Sequence, residues 1–354
     1  MIKNWAFEFF PNPHGHGGDG TINREEEKAF WDFYMDLWCS AEDLNFHGLL
    51  LSEHHFGGGY SPAPNLLIPP IANKTKNLRI GVMGNVVPYH APWRLLEEYA
   101  MLDNMTDGRL EIGLSAGIPA ELAKVGLEPG EARARFNEAA EVIDKGLASP
   151  VISHDGQFWK FEDMPIVPPF VQDPPPKWTT VISEESARNS ARRGSKISTG
   201  FISTEKVKGV FDAYNEEAAK AGNPTGPDML GLRRQVIIDL DESINEKAAG
   251  FAEGFKEMVA NFDKRVIAPG KKALDADGQH GYAFGDDEFV SGTPEQVAAQ
   301  IVDQCTRSGA GHFMAVFAGH QSLDELKKMW HLFGTQVIPM VNAAMEKQAE
   351  LKSA

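Results

Sequence analysis

A chain of 354 residues, 42% hydrophobic and 24% charged, has the size and composition of one large α/β barrel with insertions. Its two cysteines, Cys39 and Cys305, stand far apart and outside any CxxC spacing, so a disulfide scaffold or zinc site is not expected and a reducing, cytoplasmic setting is. The net charge of −16 disfavours nucleic-acid phosphates, and neither an apolar run of ~18 residues nor a signal-peptide pattern points to a membrane or to export.

The chain alternates short apolar runs with longer amphipathic ones, the pattern of a parallel sheet covered by helices. Trp5–Phe10 predicts a first strand, and Glu25–Asn45 a helix with Phe30, Phe33, Tyr34, Leu37 and Trp38 at helical spacing. Gly48–Ser52 is unbroken apolar, as a strand buried on both faces should be. Further strands are predicted over Leu78–Val87, Leu110–Leu114, Lys177–Ile182, Ile197–Ile202, Gln235–Leu240 and Phe313–Phe317. Helices are predicted between them over Pro92–Leu102, Arg133–Leu147, Ser186–Arg193, Glu205–Ala221, Ile244–Phe262 and Pro294–Ser308, with a last one from Leu323 to about Lys352. Eight strands in βα order favour a closed (β/α)8 TIM barrel, expected as one domain over residues 1–354. The Pro-rich Pro165–Lys177 reads as a rigid excursion, and the long Asp263–Gly292 stretch after strand seven as a lid-like insertion.

Barrel chemistry sits at the carboxyl ends of the strands, which narrows the search. Strand two ends in Ser52-Glu53-His54-His55-Phe56, a carboxylate and two imidazoles that are costly to bury unless paired or used. Adjacent side chains face opposite ways, so one histidine is expected at the mouth and the other packed behind it. Small residues in Gly81-Val82-Met83-Gly84-Asn85 and Gly113-Leu114-Ser115-Ala116-Gly117 either admit a flat ligand or pack the barrel tightly. Ser183-Glu184-Glu185-Ser186 joins a strand end to a helix start, where free N–H groups suit a phosphate and an N-cap alike. Glu8 in an aromatic strand and His320 after the last strand are lesser candidates, Glu8 as a paired carboxylate and His320 as a pocket residue.

Together these segments resemble the bacterial-luciferase-like monooxygenases along nearly the whole chain. The resemblance is carried by Glu53-His54-His55-Phe56, by Pro88-Tyr89-His90-Ala91-Pro92 before a helix with Glu97 and Asp103, and by Gly108-Arg109. Farther on it rests on His154-Asp155-Gly156, Glu185-Ser186-Ala187, Gly292-Thr293-Pro294-Glu295 and Val337-Ile338-Pro339. It implies a two-component enzyme that takes reduced FMN from a separate flavin reductase, forms a C4a-(hydro)peroxyflavin with O₂, and oxygenates a small organic substrate. It implies His54 as the catalytic proton carrier and a non-prolyl cis peptide at Met83–Gly84 under the flavin. The flavin would be held by Met83, Gly84, Asn85, Ser115, Ala116 and Gly117, and its phosphate by Glu185, Ser186, Ala187 and Asn189. His55, Phe56 and His320 would line the substrate, and a homodimer would pack through helices near strands two and three. Two departures matter. Ser115 replaces the reactive cysteine, and Ala116 replaces an arginine that bridges to the phosphate, leaving Arg188 or Arg192 as replacement cations or N–H groups alone to hold it. Dark oxygenation is therefore expected, and the aromatics Phe7, Phe9, Phe56, Tyr60 and Trp159 near the mouth suggest an apolar aldehyde, ketone or terpenoid, a sulfonate less so.

Three other readings compete. Gly15–Gly20 formally matches GxGxxG, but Pro11–His14 separates it from the strand, against a dinucleotide site. His14-Gly15-His16 with His54 and His55 resembles a metal-dependent amidohydrolase barrel, which also needs histidines ending strands five and six. A non-catalytic flavin-binding barrel is the third, and deazaflavin-dependent relatives share the fold.

Overall fold

The computed structural model describes residues 1–14, 23–57, 59–266 and 285–353. In chain order the strands are β1 (Lys3–Glu8), β2 (Gly48–Leu51), β3 (Arg79–Val82), β4 (Asn85–Val86), β5 (Leu110–Ser115), β6 (Val151–Asp155), β7 (Lys160–Pro165), β8 (Lys177–Thr180), β9 (Lys196–Thr199), β10 (Leu230–Ile238), β11 (Phe289–Gly292) and β12 (His312–Phe317). The helices are α1 (Arg24–Cys39), α2 (Ile68–Lys74), α3 (Pro92–Met105), α4 (Pro119–Lys124), α5 (Pro129–Ala148), α6 (Glu184–Arg192), α7 (Thr204–Ala221), α8 (Ile244–Val266), α9 (Pro294–Ser308), α10 (Leu323–Leu332) and α11 (Ile338–Ser353).

Strands β1, β2, β3, β5, β8, β9, β10 and β12 are hydrogen-bonded in that order and β12 returns to β1, closing an eight-stranded parallel (β/α)8 barrel. Closure leaves no sheet edge, and strands covered on both faces carry unbroken apolar runs such as the wholly buried Gly48–Leu51. The chain forms two compact units, one of Met1–Glu8, Arg24–Leu49 and Val181–Ala354, the other of Phe9–Asn23 and Leu50–Thr180.

Several expectations are corrected by the structure. Strand three is not continuous over Leu78–Val87: it breaks at Met83–Gly84, whose peptide is cis, and resumes as β4 against β5. β10 starts at Leu230 rather than Gln235, because Arg233 and Arg234 lie inside it. The stretch from 263 to 292 is not wholly irregular: α8 runs on to Val266, and Phe289–Gly292 is a strand parallel to β10. Residues 267–284, the heart of the expected lid, lie outside the described residues, as does the glycine-rich loop 15–20.

Many residues of the family-like motifs serve the fold. Arg109 donates to the carbonyls of Ala72, Leu78 and Thr106 and to Thr75 Oγ1, tying α2 and α3 to β5. Asp103 accepts from the backbone N–H groups of Val171 and Gln172 and so pins the Pro-rich excursion to α3. Glu138 on α5 accepts from the N–H groups of Gln157, Phe158 and Trp159 and from His154, fixing the β6–β7 hairpin. Thr293 and Gln296 form a capping box with Pro294 at the first turn of α9.

Candidate active site

In the unit that holds residues 50–180, two buried carboxylates organise the histidines. Glu53, 4% exposed, lies two residues beyond the end of β2. Its Oε1 accepts from His55 Nε2 (3.0 Å) and His90 Nε2 (3.2 Å), and its Oε2 from Asn85 Nδ2 (2.7 Å). The fully buried Tyr99 donates in turn to Asn85 Oδ1 (2.9 Å). Burial alone would raise the Glu53 pKa, but the hydrogen bonds from His55, His90 and Asn85 together outweigh it and bring it down to about 2. Glu53 is therefore an anion at neutral pH, and both Nε2 atoms facing it carry protons. The same bond raises the pKa of His55, against the opposing effect of its partial burial.

Glu121, 6% exposed, stands on α4 and serves the other histidine. Its Oε1 accepts the backbone N–H of His55 (3.0 Å) and faces His54 Nδ1 (3.2 Å). An oxygen already accepting an N–H calls for a donor at His54 Nδ1, so the proton sits on Nδ1 and Nε2 is left for chemistry. The neighbouring imidazoles thus take opposite tautomers: His55 turns Nε2 back to Glu53, whereas His54 keeps Nε2 available. Phe9 packs on the His54 ring at 5.7 Å between centroids.

Four buried polar atoms of this unit find no hydrogen-bond partner among the described residues: Asn65 Oδ1 and, on residues that touch or adjoin the histidine pair, Glu121 Oε2, the Tyr89 hydroxyl and Ser61 Oγ. The Tyr89 ring meets the His55 ring edge-on at 5.0 Å. Its pKa is pushed up to about 12 by burial, aided by the charges of Glu121 and Glu53. Unsatisfied buried donors and acceptors are expensive, and their gathering near the two histidines is what a polar ligand would complete.

The glycines of the third and fourth barrel strands are required by packing. A Cβ on Gly81 or Gly113 would lie well inside contact distance of the facing backbone of Glu111 or Val82, and one on Gly84 would be 2.7 Å from the Gly113–Leu114 peptide. Ser115 closes β5, its hydroxyl accepting from the Gly117 N–H (3.2 Å), with Ala116 between them. Asn85, expected beside the flavin, commits its amide to Glu53 and Tyr99. Phe56 is exposed, in a left-handed conformation (φ 58°), with Lys124 Nζ 5.7 Å from its ring centroid.

The unit that holds residues 181–354 carries the expected phosphate turn. Ser183 caps α6, exchanging hydrogen bonds with Ser186, and Ala187 N–H donates to Ser183 O. The N–H groups of Glu184 and Glu185 stand in the first turn, outside the helix ladder. Glu185 and Asn189 are exposed and Ala187 is buried. Arg188 and Arg192, anticipated as possible replacement cations for the phosphate, have carboxylate partners on α7: Arg188 pairs with Glu216 (3.0 Å), and Arg192 with Glu217 (2.6 Å). Glu8 accepts from Trp38 Nε1 on α1 (3.4 Å), as expected of a paired carboxylate. His320 is half-buried after β12, its Nδ1 without a hydrogen-bond partner among the described residues and its pKa lowered by burial.

Sequence reasoning missed Glu121, Tyr89 and His90 as candidate site residues. Glu121 lies six residues beyond the end of β5, on a helix too short to show periodicity. Among the described residues no group of three His, Cys, Asp or Glu could hold a metal ion, and His16 lies outside them. No described helix is long and apolar enough to cross a membrane.

Comparison with known proteins identifies the family. The luciferase-like monooxygenase family matches residues 12–312. The alkanal monooxygenase alpha chain of Photobacterium leiognathi is 24% identical over 96% of this chain and 98% of its own. The oxygenase component of the flavin-dependent trigonelline monooxygenase of Acinetobacter baylyi is 28% identical over 62% of this chain and 63% of its own. Among solved structures, the oxygenating constituent of 3,6-diketocamphane monooxygenase from Pseudomonas putida, in complex with FMN, superposes with a TM-score of 0.70 at 18% identity, covering 96% of this chain and 98% of its own. The family match sets aside the amidohydrolase and dinucleotide-fold readings: this chain belongs to the luciferase-like monooxygenase family.

Proposed function

We propose that the chain is the oxygenase of a two-component system that takes reduced FMN from a separate flavin reductase and uses O₂ to oxygenate a small, largely apolar organic molecule. The observation that carries this is the Glu121–His54 pair, which fixes one imidazole with Nε2 free beside buried polar atoms that lack partners. The relative named as the oxygenase component of a flavin-dependent monooxygenase supports a partner reductase. Reduced FMN, when bound, supplies the two electrons with which one oxygen atom enters the substrate and the other leaves as water.

The residues fit such a group. Met83–Gly84 and Ser115–Gly117 are the residues that would lie along a flat ring, and the Glu184 and Glu185 N–H groups in the first turn of α6 are those that would meet a phosphate. His54 Nε2 holds or delivers the proton that water formation requires, while Glu121 stabilises the imidazolium through Nδ1. Glu53, held ionised, keeps His55 and His90 turned inward and serves position rather than proton transfer. Phe56 and His320 remain candidates for the substrate wall.

His54→Ala tests the assignment. It should leave FMN affinity within a few-fold and lower product formation by roughly 10²-fold, the size of a general acid–base contribution. Unchanged turnover would remove His54 from the mechanism. We also propose a homodimer through the α2–α3 face, where Met101 and Met105 lie one turn apart and exposed, with exposed Leu66 just before α2.

A further inference from the structure

Resting on that reading of a flavin oxygenase, we propose that the Tyr89 hydroxyl and Glu121 Oε2 together bind the polar head of the substrate. The substrate is then a neutral molecule with a carbonyl beside an N–H, of the lactam or carboxamide class. Tyr89 ends the short turn Val87–Tyr89 that follows β4, at the carboxyl end of the third barrel strand, where barrel sites are built. The backbone is fixed on both sides of the tyrosine. Pro88 precedes it, and His90 donates its N–H to Val87 O (3.0 Å) and its Nε2–H to Glu53 Oε1 (3.2 Å). The Tyr89 ring meets the His55 ring edge-on at 5.0 Å. Glu121 approaches the same residue from α4, taking the His55 N–H on Oε1 (3.0 Å). Phenol and carboxylate thus converge on His55, next in sequence to His54.

The bonds already made around them leave one donor and one acceptor over. Glu121 Oε1 serves both His55 N–H and His54 Nδ1. Glu53 commits both its oxygens to His55, His90 and Asn85. The Tyr89 hydroxyl and Glu121 Oε2 are shielded from solvent and have no hydrogen-bond partner among the described residues, so they do not bond each other. The hydroxyl still feels the Glu121 charge, which together with burial holds it protonated through the neutral range. A buried phenol left unbonded costs stability, and phenylalanine would pack the same ring without that cost. The hydroxyl is therefore kept for a ligand.

A group that completes this pair accepts from the phenol and donates to the carboxylate. A lactam or carboxamide does both on adjacent atoms. A simple ketone satisfies Tyr89 alone. An anion would add charge beside two buried carboxylates and leave Oε2 unserved. Both groups lie beyond Met83–Gly84 and Ser115–Gly117, the stretches that would lie along the flavin, which assigns them to the molecule being oxygenated.

The test is titration of the full chain, with and without FMN, by ligand-observed NMR. The probes are indane, 2-indanone and oxindole, nearly equal in size, which present no polar group, a carbonyl, and a carbonyl with an N–H. Each added hydrogen bond should tighten binding roughly threefold to tenfold. Tyr89→Phe should lose the step from indane to 2-indanone and melt no lower than wild type, because it deletes an unbonded donor. Glu121→Gln, which puts an amide nitrogen in place of Oε2, should lose the step from 2-indanone to oxindole. No binding, or equal binding of the three, would overturn the proposal. So would a Tyr89→Phe variant that keeps both steps, and a lower melting temperature in that variant would then give the hydroxyl to an ordered water. A Tyr89→Phe variant that loses only FMN affinity would assign the hydroxyl to the flavin and also overturn it. If FMN fails to bind while the steps stand, the flavin reading fails and the head-group site survives. If FMN binds and the steps are missing, the head-group site fails alone.

Discussion

Exchanging Glu121 for glutamine isolates the charge behind His54 from its geometry. The glutamine carbonyl can take the place of Oε1, which accepts from His54 Nδ1 at 3.2 Å and from the His55 N–H at 3.0 Å, while the amide nitrogen replaces the unpartnered Oε2. What is lost is the charge assistance. A hydrogen bond to a charged group contributes about 1.5–3 kcal/mol and a neutral one about 0.5–1.5. The transition state in which His54 is imidazolium should therefore lose about 1–2 kcal/mol, or roughly 5- to 30-fold in rate. The assay is a single turnover of reduced-FMN enzyme with O₂ and the best substrate from a panel of aldehydes, ketones and lactams. Product per flavin is read beside the FMN Kd from fluorescence quenching. The Kd should move less than threefold while the rate falls. A rate within twofold of wild type, or a Kd shift that accounts for the whole loss, would refute the assignment of Glu121 as the positioning residue of His54.

Glu53→Gln should act on stability instead. The folded pKa of about 2 lies below the ordinary 4.5, so the stabilisation is present above pH 4.5 and is lost as pH falls through about 2. It amounts to about 3 kcal/mol. Urea unfolding should show a wild-type advantage at pH 7 that shrinks towards pH 3; a gap independent of pH would contradict the assigned anion. Met105→Glu, at a residue 54% exposed on α3, should convert a sedimenting dimer to monomer without loss of helicity. Wild type sedimenting as a monomer at micromolar concentration would remove the proposed interface. Gly84→Ala should give little folded protein, because its Cβ would sit 2.7 Å from the Gly113–Leu114 peptide; normal yield and melting temperature would contradict that packing.

The barrel was legible because its strands are buried on both faces, as in Gly48–Leu51 and His312–Phe317. It was least legible where charge enters a strand. Arg233-Arg234 fell before the start of the predicted strand, yet both lie within β10, one guanidinium against the rings of Phe7 and Phe201 and the other meeting Glu288 and Gln304. The β6–β7 hairpin was missed for a related reason: its strands lie mostly at the surface, and β7 carries Lys160, Glu162 and Asp163. At the site, His54 was found from its place at a strand end. The carboxylate that orients it was not, since Glu121 reaches it across 67 residues of sequence from a six-residue helix. The glycines that could have admitted a ligand prove necessary for close backbone approach between β3 and β5. The anticipated phosphate cations are engaged by Glu216 and Glu217, a pairing between helices that no local pattern reveals.

The central claim, reduced-flavin oxygen chemistry with His54 as proton carrier, is tested most directly by rapid mixing. The protein is loaded anaerobically with reduced FMN and mixed with O₂, and its absorbance spectrum is followed in wild type and His54→Ala. A transient species distinct from both reduced and oxidised flavin, with altered formation or decay in the variant, is the result the account predicts. Direct conversion to oxidised flavin at the rate of free reduced FMN, identical in the two proteins, would contradict it.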